Sequence, residues 1–147
     1  MTAEQNTSPD SPFPPDAAAV ELAVCFIEAD PCFDGADSMK ERLAAHLEVA
    51  IFTTDQCNRL AAVLLRALRH GSEAVFRSYA RLAPRVTTPL FEAAVNCYAA
   101  SCEFPVAERA RHVLDVLRAG RVRAARPPSA LRRSDYSTGR CLCAALG

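Results

Sequence analysis

The sequence predicts an all-α fold, and three observations carry the prediction. Ala supplies 28 of the 147 residues against only five Gly, a balance that favours helix by intrinsic propensity. Apolar residues recur three and four apart in six successive segments. Capping and stop residues separate those segments at short intervals, which leaves no stretch for a sheet. The expected architecture is a compact bundle of about six helices.

The first helix runs from Asp16, placed as its N-cap, to Ala29, because the Asp30-Pro31 step resists continuation. Val20, Val24 and Ile27 share one side of it and Leu22 and Phe26 lie nearly opposite, with Glu21 and Glu28 on a narrow polar strip. A helix apolar on two faces is either deeply buried or has a second partner. The second helix is expected to open at Ser38, since Ser38 and Glu41 have the form of a capping box, and to bury Met39, Leu43, Leu47, Ala50 and Ile51. Thr53 and Gln56 repeat the capping spacing, and either Thr53 or Thr54 could cap a third helix with Leu60, Val63, Leu64, Ala67 and Leu68 inward, stopped by Gly71.

Ser72 to Leu82 reads as a fourth helix with Val75, Phe76 and Tyr79 inward, an outer Glu73–Arg77 pair, and an end at Pro84. Thr88 followed by Pro89 starts a fifth helix that reaches about Cys102 and buries Phe91, Ala94, Val95 and Tyr98. Pro105 opens the sixth, with Val106, Ala110, Val113, Leu114 and Leu117 in phase and Gly120 as its left-handed stop. The organisation that follows is an N-terminal arm over 1–15, Pro-rich and expected to be disordered, a helical domain over 16–120, and a basic, flexible tail over 121–147.

A formal charge of zero hides a strong polarity. Residues 1–39 carry eight acids and no base, and residues 118–147 carry seven Arg against Asp135 alone. The Pro-rich opening has no basic region followed by an apolar one, so the expectation is a chain made and kept in the reducing interior of a cell. Its seven Cys then read as thiols rather than as a disulfide framework.

Residues for chemistry are sparse. The sequence holds no Gly-x-Ser-x-Gly, no phosphate-cradling Gly-rich loop and no His-Glu-x-x-His. His70 and Ser72 flank Gly71 where a helix end and a helix start account for them, and His46 is in phase with Met39, Leu43 and Leu47. Cys97 and Cys102 stand five apart on one helix, and Cys25 and Cys32 straddle the Pro31 break, so neither pair has zinc spacing. No enzyme, cofactor or metal is expected. The Arg cluster after Leu117 would attract phosphate but lacks interleaved aromatics apart from Tyr136, so nucleic-acid binding through the tail is the weaker alternative.

The run from Ser38 to Glu103 resembles the poxvirus intracellular Bcl-2-like family. The order is an amphipathic helix, a polar loop, a Leu-rich helix, the element Ser72-Glu73-Ala74-Val75-Phe76, a brief helix, and a central apolar helix containing Cys97 and Tyr98. The resemblance implies a Bcl-2-like bundle working by occupancy: a viral protein that binds a host innate-signalling adaptor or kinase and blocks NF-κB activation. It also implies a homodimer through the first and sixth helices, and a location in the host cytoplasm with the nucleus also open. The alternative within the family is an apoptosis inhibitor that holds BH3-containing proteins in a groove. The chain has no Trp and lacks the Asn-Trp-Gly-Arg signature of cellular relatives, which ranks that alternative second.

Leu22 and Phe26, on the outer side of the first helix, are the candidate partner or dimer face. Cys141 and Cys143 near the tail end are the only lipidation candidates. The last four residues, Ala-Ala-Leu-Gly, place Cys143 one position too early for prenylation, and no stable membrane anchor is expected.

Overall fold

A computed structural model describes residues 16–125, which form seven helices and no strand. They are α1 (Ala17–Ala29), α2 (Ala36–Leu47), α3 (Thr54–Arg69), α4 (Glu73–Ala80), α5 (Ala83–Val86), α6 (Pro89–Ala99) and α7 (Phe104–Ala125). The arm over 1–15 and residues 126–147 lie outside the described residues.

Helix α3 is the centre of the bundle and touches α1, α4, α5, α6 and α7. Its strong apolar stripe explains this position: Leu60, Val63, Leu64 and Leu68 are all buried. Val24 and Ile27 of α1 are completely buried against that centre, and full burial of such side chains is worth roughly 1.5–3 kcal/mol each. Helix α2 leans on α1 and α4, while α6 pairs with α7 over most of its length.

Three of the expected caps form. Thr53 Oγ1 accepts from Gln56 N at 3.2 Å and Gln56 Oε1 accepts from Thr53 N at 3.0 Å, a complete capping box. Ser72 caps α4 through Val75 N and Thr88 caps α6 through Phe91 N. Asp16 is the N-cap of α1 by position, with no side-chain bond to the helix.

Four expectations are corrected. Helix α2 starts at Ala36 rather than Ser38: Gly35, at φ +83°, makes the left-handed entry, Met39 N bonds to Gly35 O, and Ser38 already lies inside the first turn with no capping bond. Its buried positions are Ala36, Lys40, Ala44 and Leu47, so Met39 is turned outward, and Ile51 lies beyond the helix, 86 % exposed. The fourth helix ends at Ala80, slightly before the expected Leu82, and after a turn at Arg81-Leu82 a short α5 follows that was not expected, with Pro84 in its first turn, where a missing backbone donor costs nothing. Helix α6 ends at Ala99, where Ser101 Oγ takes up Glu103 N ahead of the next helix.

The fourth concerns Gly120. Helix α7 passes through it to Ala125, and the residue packs against Pro84 instead of ending the helix. The extra turn is held by Arg121, which donates to the Glu92 carboxylate on α6. That pairing keeps the Glu92 carboxyl below its ordinary range.

Candidate functional site

Two sides of α1 are engaged. Val20, Ala23, Val24 and Ile27 enter the core. The polar strip belongs to α3: Arg59 donates from Nη1 to Glu21 at 2.6 Å and from Nη2 and Nε to Glu28 at 2.7 and 2.9 Å. Gln56 adds a bond from Nε2 to Glu21 at 2.7 Å. The Arg59 hydrogen bond, followed by those from Gln56 and Cys25, brings the Glu21 carboxyl down to about 2. Cys25, also on this seam, receives Arg59 Nη2 at 3.3 Å.

What remains is the outer side, and Leu22 stands there 73 % exposed. Phe26, one turn on, is half-buried because Phe33 from the α1–α2 loop meets it edge to face, with ring centroids 6.3 Å apart and planes at 80°. Phe33 itself is largely exposed. Ala19, Ala23 and Phe26 follow one edge of α1, as Met39, Leu43 and His46 follow one edge of α2. Between those edges runs an apolar groove of about 220 Å³, lined by Ala19, Val20, Ala23, Leu43, His46 and Leu47. Leu22, Phe26, Phe33 and the groove together make an apolar face on the α1–α2 side of the bundle.

The structure thus brings the two sequence candidates Leu22 and Phe26 to one face and adds Phe33, which sequence periodicity missed because it sits in a loop. Cys141 and Cys143 lie outside the described residues. His46 lines the groove, and His70 is the exposed C-cap of α3. Cys25, Cys32, Cys97 and Cys102 are exposed thiols. Among the described residues no group of three or more His, Cys, Asp or Glu could hold a metal ion, and no helix is long and apolar enough to cross a membrane.

A second cluster, at the junction of α3 and α4, was not legible from the sequence. Lys40 points inward from α2, its side chain only 8 % exposed, and its ammonium meets Asp30 at 2.6 Å and Asp37 at 3.6 Å. Its aliphatic stem occupies an apolar position while two carboxylates neutralise the head. Tyr79 of α4 is buried beside it, and its hydroxyl has no hydrogen-bond partner among the described residues. Burial first, then the nearby Asp30 carboxylate, pushes that phenol upward. The only sequence signal was that Lys40 falls in phase with Ala36, Ala44 and Leu47. Compared with known proteins, the chain matches no family model, no curated protein and no solved structure.

Proposed function

We propose that this chain is a non-enzymatic protein–protein interaction module that acts through the outer face of α1. The observation that carries the reading is Leu22, exposed beside the Phe26–Phe33 pair on a helix whose other sides are occupied by the core and by Arg59. A large apolar side chain bordering an apolar groove is the composition of a partner surface. The finer reading rests on the order of elements from Ser38 to Glu103 that resembles the poxvirus Bcl-2-like family. On it the chain is a viral inhibitor in the host cytoplasm, binding an innate-signalling adaptor or kinase, with a second copy docked through α1.

The test has two parts. Light scattering measures the mass of the wild type and of Leu22→Glu, a substitution at an exposed position that leaves the helical circular-dichroism spectrum intact. A dimer that becomes a monomer supports docking of a second copy, whereas a wild-type monomer removes the homodimer. An NF-κB reporter in cells, run beside a titration with fluorescent BH3 peptides, then separates the two family roles. Reporter inhibition that Leu22→Glu abolishes supports the reading; tight peptide binding with no reporter effect replaces it with apoptosis inhibition.

A further inference from the structure

We infer that the end of the bundle built by the α2–α3 loop, α5, the start of α6 and the last turn of α7 binds reversibly to an anionic lipid surface. This end is distinct from the outer face of α1, and the inference stands independently of the function proposed for that face. Side-chain contacts bring its segments together. Arg85 of α5 donates to Ala50 O and lies over the Phe52 ring, 5.9 Å from its centroid. Arg81, just before α5, meets Glu48 at 3.1 Å. Gly120 of α7 packs on Pro84, and Arg121 pairs with Glu92 of α6.

Four large apolar side chains project from that end: Val49 and Ile51 from the loop, Leu90 from the first turn of α6 and Val122 from the last turn of α7. They are half of the eight large hydrophobic residues exposed among the described residues, so the exposure is concentrated and not scattered. Ile51 and Leu90 protrude furthest, and none of the four lines the α1–α2 groove. Protruding apolar side chains suit a yielding surface that closes around them, which the headgroup boundary of a bilayer provides.

Charge selects the sign of that surface. Glu48 is held by Arg81, Glu92 by Arg121 and Asp55, at the start of α3, by Arg59, whereas Arg85 and Arg123 meet no carboxylate among the described residues. Helix α7 runs out at this end, so the sequence that follows it starts there, with Arg126, Arg132, Arg133 and Arg140 against Asp135. A cationic rim around projecting apolar groups combines the two contributions that hold a protein at a bilayer surface, apolar burial and attraction to anionic headgroups. Arginine suits the rim, because its stem lies along apolar surface while its head reaches a phosphate. A second copy suits this end poorly, since pairing through the same patch on both chains would bring two cationic rims together. A nucleic acid would engage the arginines and leave Ile51 and Leu90 without a partner.

The experiment is flotation of the full chain with vesicles of phosphatidylcholine alone and of phosphatidylcholine containing about one-third phosphatidylserine. Binding to the anionic vesicles is expected to be about tenfold tighter or more, and to weaken as added salt screens the arginines. Ile51→Ser combined with Leu90→Ser, both at exposed positions, is expected to keep the helical circular-dichroism spectrum and weaken that binding about tenfold. Arg123→Gln breaks no bond among the described residues and is expected to weaken it about fivefold. The inference is overturned if the anionic vesicles do not retain the protein, or if either variant binds them like the wild type. A random-sequence DNA duplex that binds more tightly than the vesicles, with no loss in the Ser variant, replaces lipid with nucleic acid. A dimer by light scattering that the Ser variant dissolves replaces it with a second copy.

Discussion

Gly120 of α7 lies so close to Pro84 of α5 that a Cβ added there would stand 3.1 Å from both Cβ and Cγ of the proline. The two residues bring α5 and the last turns of α7 together, with Arg121 and Glu92 fastening α7 to α6 one position later. A glycine inside a helix sacrifices about 1 kcal/mol of propensity relative to Ala, and close approach is what that sacrifice obtains here. Gly120→Val is therefore expected to destabilise the fold by about 1–3 kcal/mol, through overpacking against Pro84. Urea denaturation checks this. A variant as stable as the wild type would show that Pro84 yields freely.

Helix starts give a second set of expectations. Thr53→Ala removes the hydroxyl half of a complete capping box and should cost about 1 kcal/mol. Ser38→Ala, at an exposed position inside the first turn of α2 with no capping bond, should leave stability within about 0.5 kcal/mol of wild type. Parallel thermal melts of the two variants decide whether the helix entry at Gly35 is correct, since equal losses would restore Ser38 as the cap.

The α1–α3 seam is expected to make part of the stability depend on acid pH. Glu21 has a folded-state value near 2, below the ordinary value of 4.5 that it regains on unfolding. The unfolded chain thus binds the proton more readily. The contribution is complete above about pH 4.5 and is lost as pH falls through that value toward about 2. Glu73, lowered first by its Arg77 hydrogen bond, and Glu92, lowered by Arg121, act in the same direction. Glu21→Gln is expected to flatten the dependence of denaturation midpoint on pH across this window without abolishing it. An unchanged slope would show that the Arg59 pairing contributes nothing in solution.

What the sequence disclosed follows the range over which each feature is determined. The boxes and caps at Thr53, Ser72 and Thr88 depend on hydrogen bonds spanning three residues, and they were readable. The inward set Val75, Phe76 and Tyr79 and the outward Leu22 follow from helical phase alone. Lys40 was not readable because its burial depends on Asp30 at the end of the preceding helix, and composition gives a lysine no reason to turn inward. Gly120 was misread because a helix stop and a close contact call for the same residue, and only Pro84, far back in the chain, distinguishes them. Phe33 escaped because a loop has no periodicity. The cluster of Lys40, Asp30 and Tyr79 is the sum of such distant choices, so it could be seen only in the folded chain.

The end of α3 also bears on the order in which the protein can be finished. Arg109 of α7 donates to the carbonyls of Ala67 at 3.0 Å and Gly71 at 3.2 Å, approaches Glu73 at 3.3 Å, and lies over the Phe76 ring. Helices leave their last carbonyls without internal partners, and here a side chain from the final helix supplies them. During synthesis the α3–α4 corner must therefore wait on water until residue 109 has emerged. The corner is thus completed by a residue 38 and 42 positions further along the chain than the two carbonyls it serves.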